Sequence, residues 1–99
     1  MRKTVRAALV AGLLAGLAGL PALADPPGDY EVWGVEEDDM LKMRAGPGVG
    51  YRVIVGLPNG TVLRVTSCEQ TGGTRWCKVA LKAARGLKGY VSWAYLREF

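Results

Sequence analysis

Leu41-Lys42-Met43-Arg44-Ala45-Gly46-Pro47-Gly48 is the stretch that decides the fold. Leu41 and Met43 fall on one face of an extended segment and Lys42 and Arg44 on the other. That is the period-two alternation of a strand with one buried side. Gly46 and Gly48 permit backbone angles closed to other residues, and Pro47 stiffens the bend between them. A strand over Met40–Ala45 running into a tight loop is expected.

Outward from this block, short apolar runs alternate with Gly, Pro and Asn, and no segment has helical periodicity. On the amino-terminal side, Tyr30–Val35 reads as a first short strand and Glu36–Asp39 as an acidic turn. On the carboxy-terminal side, Val53–Leu57 is a strand closed by Pro58-Asn59-Gly60, a hairpin turn with positive φ. Thr61–Ser67 is rich in β-branched residues, as a strand should be. Glu69–Thr74, with Gly72-Gly73, reads as a hairpin loop. Arg75–Leu81, a charged loop to Lys88, and Gly89–Trp93 follow, and Ala94-Tyr95-Leu96 suits one 3₁₀ turn. The fold class is all-β: five to six short strands in about 70 residues, too few for a two-layer sandwich and suited to a small bent barrel. Leu41, Met43, Val53, Leu63, Val65, Val79, Val91 and Leu96 are its expected core.

The amino terminus does not belong to that barrel. Arg2, Lys3 and Arg6 precede an apolar run, Ala7–Leu20, and then Pro21 and Ala22-Leu23-Ala24. This is the three-part pattern of a secretory signal cleaved after Ala24. A membrane anchor needs about 18 or more uninterrupted apolar residues, and this run is shorter and thinned by Gly12, Gly16 and Gly19. Residues 1–24 are therefore expected to be removed, 25–29 to be a short tether and 30–99 the domain, free in the periplasm or secreted, with no stable membrane insertion. Three of the thirteen basic residues leave with the signal and all nine acidic ones stay, so the mature chain carries ten positive and nine negative charges. Its basic precursor pI is a targeting feature, and nucleic acid is not an expected partner.

Seventy-five residues bury only about 60% of the unfolded chain's surface, which is marginal without a staple. In an oxidising compartment Cys68 and Cys77 most simply form a disulfide. The loop they close is worth about 2.5 to 3 kcal/mol. Strict alternation puts Cys68 on the face of Arg64 but Cys77 with Val79 and Leu81. A bulge or strand end near Ser67 must then turn Cys68 inward.

Leu41–Gly48 resembles the L-N-V-R-S-G-P-G signature of bacterial SH3 domains. Tyr51-Arg52-Val53-Ile54, Leu57-Pro58-Asn59-Gly60-Thr61-Val62, Trp76-Cys77-Lys78-Val79 and Gly89-Tyr90-Val91-Ser92 with Tyr95-Leu96 follow in that family's order, together spanning about 55 residues. The resemblance implies an SH3-like barrel. Met43 in place of Val, Val55 in place of Gly, the basic Lys82–Lys88 segment and the full acidic turn depart from the pattern and bear on loop shape and ligand choice.

No catalytic constellation is present. The chain has no His, its cysteines are assigned to a disulfide, and Glu36–Asp39 splay outward from a turn. No enzyme activity, cofactor or resident metal is expected; a weak Ca²⁺ site at the acidic turn stands against the plainer reading of a solvated turn. Binding is the expected role. Tyr30, Trp33, Tyr51, Trp76, Tyr90, Trp93 and Tyr95, with Phe99 at the terminus, exceed what one small core can hold, and surface aromatics offer stacking faces. By alternation Trp76 points away from the core. The resemblance to peptide-binding SH3 domains places Trp76 and Tyr95 in a ligand groove, although Ser92 stands where those domains have a groove Pro. Ligand contact and rim packing are balanced for Trp76 and Tyr95. Packing is favoured for Trp33, Tyr90 and Trp93 and slightly for Tyr51. Tyr51 and Arg44 complete the candidates, with Arg44 more readily a loop brace through backbone carbonyls than a ligand contact. The expected partner is cell-wall peptidoglycan, peptide or glycan. The alternative is a periplasmic or host protein bound by an adaptor or inhibitor, and an envelope protein with no tight ligand is the bland reading.

Overall fold

The computed structural model describes residues 27–99; the signal segment 1–24 lies outside the described residues. Seven antiparallel strands form one curled sheet: β1 (Gly28–Val32), β2 (Leu41–Arg44), β3 (Val53–Leu57), β4 (Val62–Thr71), β5 (Thr74–Leu81), β6 (Ala84–Ser92) and β7 (Leu96–Glu98). Their spatial order is β3-β2-β6-β5-β4-β1-β7. A single 3₁₀ turn, Trp93–Tyr95, joins β6 to β7. The all-β expectation holds, with seven strands in place of five or six.

Alternation along the strands builds the core. In β2 Leu41 and Met43 are buried while Lys42 is exposed. In β4 Leu63 and Val65 point in and Arg64 out. Tyr30, Val32, Leu57, Cys77, Val79, Val91 and Leu96 complete one cluster on the concave side. Each large aliphatic removed from water there contributes about 1.5 to 3 kcal/mol. Gly89 matters because β6 crosses β2 closely. A Cβ on it would sit 2.6 Å from Met43 Cγ and 2.7 Å from the Arg44 carbonyl oxygen.

The parity problem of the cysteines is resolved by a bulge. Val65 pairs with Val79 and Ser67 with Lys78, so Thr66 is the extra residue. Thr66 and Ser67 both face outward, and the phase change brings Cys68 directly opposite Cys77, to which it is disulfide-bonded.

Several expected boundaries move. The Glu69–Thr74 loop is strand apart from Gly72-Gly73, with Gly72 at φ +63°. The Lys82–Lys88 loop is a two-residue turn, Lys82-Ala83, followed by a bulge: Leu81 pairs with Ala84 but Ala80 with Lys88, leaving Arg85, Gly86 and Leu87 over. Long paired strands replace both loops because a two-residue turn lets the ladder run to its end. β1 starts at Gly28, two residues before the expected Tyr30. Val53 is exposed and not core, because the register shift between Met43 and Arg44 leaves it at the rim of β3, and Leu57 fills the interior.

Gly46 and Gly48 do not take positive φ, contrary to expectation; Gly34, Gly60 and Gly72 do. Gly46 is needed for space, since any Cβ there would meet the Tyr51 ring. Pro58-Asn59-Gly60 is a β-turn, with Gly60 at φ +91° and Thr61 N–H donating to the Pro58 carbonyl at 3.2 Å, but not the expected hairpin, because β3 and β4 are not neighbours in the sheet. Asn59 then joins this turn to the chain leaving β1. Its Oδ1 accepts from Val35 N at 3.1 Å and its Nδ2 donates to Val35 O at 2.8 Å, the pairing of a one-residue strand bridge. This fixes the start of the β1–β2 loop.

Candidate functional site

An open groove of about 590 Å³ runs between the β1–β2 loop and the far end of the β5–β6 hairpin. Gly34, Val35, Glu36, Asp39 and Met40 of the loop form one side, with Lys42 and Arg44 of β2 and Val49 beyond them. Gly73–Trp76 of β5 and its turn, and Ser92–Tyr95 of the 3₁₀ turn, form the other. The groove sits there because the β5–β6 ladder ends at Ser92, where the 3₁₀ turn brings Trp93, Ala94 and Tyr95 to its edge.

The aromatic side is built in layers. Trp76 and Cys77 are consecutive and both buried, so β5 is covered on both faces at this point. Cys77 faces the core and Trp76 the groove, where only 6% of Trp76 remains exposed. Trp93 packs edge-on against the core ring of Tyr30, with centroids 5.3 Å apart, and the Arg75 guanidinium lies 4.8 Å from its ring centre. Tyr95 stands at the lip, 41% exposed, and its carbonyl accepts from Trp33 N–H at 2.8 Å. Trp33 continues the aromatic edge outside the groove, with Arg97 5.2 Å from its ring centre.

The bacterial SH3 domain family model matches residues 39–97. The chain belongs to the bacterial SH3 domain family. No curated protein and no solved structure gives a significant match. The family match begins at Asp39, so this SH3 domain draws Tyr30 and Val32 of its core, and the Gly34–Glu36 edge of its groove, from residues before it.

Of the four binding residues expected from the sequence, three line this groove: Trp76, Tyr95 and Arg44. Trp76 is its floor, sunk deeper than alternation alone suggests. Arg44 reaches the groove's edge, but its Nη1 donates to the carbonyls of Val49 and Tyr51 at 3.1 and 3.0 Å, so it braces the Gly46–Tyr51 loop. Tyr51 does not line the groove; it lies over Gly46 and Gly48 with half its surface exposed. Trp93 and Arg75 are groove residues that the sequence did not single out. Their signal was position: Trp93 lies two residues before Tyr95, and Arg75 next to Trp76.

Charge is divided along the groove. Glu36 and Asp39 lie on the loop side with Lys42 and Arg44 beside them on β2, and Arg75 lies on the aromatic side. Asp39 is already engaged, accepting from Met40 N–H at 2.8 Å and lying 3.9 Å from Lys42 Nζ. The four carboxylates of 36–39 do not converge, and among the described residues no group of three or more His, Cys, Asp or Glu could hold a metal ion.

Proposed function

We propose that this bacterial SH3 domain is a non-catalytic, exported module that binds cell-wall peptidoglycan through the Trp76–Trp93–Tyr95 groove. The observation that carries this reading is the pairing of an exposed aromatic lip with a buried aromatic floor along an open groove whose other side carries Glu36 and Asp39 beside Lys42 and Arg44. An extended peptide stem lays apolar methyls on the Tyr95 ring and directs a free amine toward Glu36; a glycan stacks a sugar face on the same ring. Export is supported by the leader pattern of residues 1–24 and by the Cys68–Cys77 disulfide, which persists in an oxidising compartment. Phe99, exposed at 73%, and the half-exposed Trp33 support the second reading, a protein partner covering a wider aromatic surface.

Tyr95→Ala is the informative variant, because Tyr95 is exposed whereas removing the buried Trp76 would also unseat the sheet. Wild-type protein mixed with isolated sacculi at low salt should sediment with them, and Tyr95→Ala should remain largely in solution. Wild type found wholly in the supernatant would remove the wall from consideration.

A further inference from the structure

The outer face of the sheet carries a second feature, beyond the groove along β5. Ala80 of β5 lies opposite Arg64 on β4 and Lys88 on β6, and Lys78 is two residues from it on the same face. At the end of that hairpin Lys82 and Arg85 join Arg64 around a shallow recess of about 270 Å³. The bulge Arg85–Leu87 is what holds Arg85 there. Five cations thus gather around one small residue.

A single carboxylate works against them. Asp29, opposite Arg64 on β1, lies 2.5 Å from Lys82 Nζ and 3.5 Å from Arg64 Nη1. Glu31 on the same strand is held by Arg97 at 2.7 Å. Among the described residues Lys78, Arg85 and Lys88 enter no ion pair. The patch uses five of the ten cations of residues 25–99 and one of the nine acids, leaving five cations against eight acids elsewhere. A nearly neutral chain is therefore strongly polarised. Lys78 is two residues from Trp76 on the same face of β5, so the patch begins about 7 Å from the groove floor and extends to Lys82, about 20 Å from it.

We infer that the Arg64–Lys78–Lys82–Arg85–Lys88 face docks on the anionic phospholipid headgroups of a membrane surface. Charge complementarity on the outer, solvent-facing side of the curled sheet supports this: cations on three adjacent strands can each meet a separate headgroup phosphate, and no apolar side chain need enter the bilayer. Lys78, Arg85 and Lys88 carry the attraction, since Asp29 already compensates part of Lys82 and Arg64.

The test is co-sedimentation of the protein, purified from exporting cells, with vesicles of phosphatidylcholine alone or mixed with phosphatidylglycerol. Binding is expected only to the mixed vesicles and should weaken as salt is raised. Each cation near an anionic surface is worth about fivefold in partitioning, so Lys78→Gln, Arg85→Gln and Lys88→Gln together should lower it about 100-fold. Tyr95→Ala should partition as wild type does, which separates this face from the groove. Equal binding to both vesicles, or an unchanged triple variant with an unaltered thermal midpoint, would overturn the assignment. Binding of soluble polyphosphate without binding to vesicles would overturn the lipid source.

Discussion

Reducing the Cys68–Cys77 bond should destabilise the domain without changing its sequence. The bond closes a loop of sequence separation nine. Loop-closure entropy for that length amounts to about 2.6 kcal/mol at room temperature. A chain of this size has a total stability of roughly 4 to 11 kcal/mol, so the bond supplies about a quarter to two thirds of it. With a urea slope of about 1 kcal/mol per molar, the unfolding midpoint should fall by roughly 2 to 3 M on reduction. Urea titrations followed by tryptophan fluorescence, with and without a phosphine reductant, measure this directly. Reduction is cleaner than Cys→Ser replacement, because Cys77 is fully buried and a hydroxyl there adds a cost of its own. The bond also clamps the end of the β4–β5 hairpin whose turn and first residues, Gly73–Trp76, form one side of the groove. Reduction should therefore weaken groove binding at temperatures where the fold survives. A midpoint shift below about 0.5 M would refute the reasoning, because the paired hairpin would then hold its register unaided.

Three further outcomes follow from particular contacts. Gly89→Ala places a Cβ against the Arg44 carbonyl, which cannot yield as a side chain can. A cost of about 2 to 3 kcal/mol and a thermal midpoint lower by roughly 10 to 20 °C are expected, and an unchanged midpoint would contradict the close crossing. The hydrogen bond from Lys82, then its charge and that of Arg64, hold the Asp29 carboxyl below its ordinary value of 3.8 against the opposing effect of desolvation. A carboxyl lowered on folding stabilises above its unfolded value and loses that contribution as pH falls through the folded one. Asp29→Asn should therefore flatten the decline of stability below about pH 4, and superimposable acid limbs for the two proteins would count against it. Deleting Thr66 removes the bulge residue while keeping Ser67 opposite Lys78 and Cys68 opposite Cys77. The deletion variant should still show no free thiol, and two titratable thiols would mean that the bulge does something other than set phase.

The fold was legible because alternation, turn residues and size all pointed the same way. Leu41, Met43, Leu63, Val65, Val79, Val91 and Leu96 are core where period two put them. Cys68 was legible as an exception, since two bonded cysteines of opposite parity demand one extra residue, and Thr66 is that residue. Val53 failed because its alternation was counted through a register shift that only pairing with β2 reveals. The loops 69–74 and 82–88 were overdrawn because Gly, Lys and Arg lower local strand propensity, while the ladder between β4, β5 and β6 outweighs propensity once formed. Gly46 shows a second kind of miss. A glycine in a tight loop suggests positive φ, but here the missing Cβ makes room for an aromatic ring five residues on, and sequence spacing carries no record of such a contact.

The groove was legible in part for the same reason that Trp76 was. A strand side chain that cannot reach the core must meet either water or another element, and alternation says which face but not what lies over it. The 3₁₀ turn Trp93–Tyr95 and the Asn59-anchored β1–β2 loop lie over that face, so Trp76 becomes a floor only 6% exposed while Tyr95 remains open. Arg44 illustrates the limit of residue type as evidence. Its guanidinium suits a carboxylate ligand, yet two backbone carbonyls of its own loop take the Nη1 donor first. That loop would otherwise leave the Val49 and Tyr51 carbonyls to water and the Gly46–Tyr51 bend without a tie to β2. Arg44 thus contributes to binding by fixing the shape of the groove's edge. A ligand is left to meet Tyr95 and Glu36, which is why the Tyr95 variant, more than one at Arg44, separates recognition from folding.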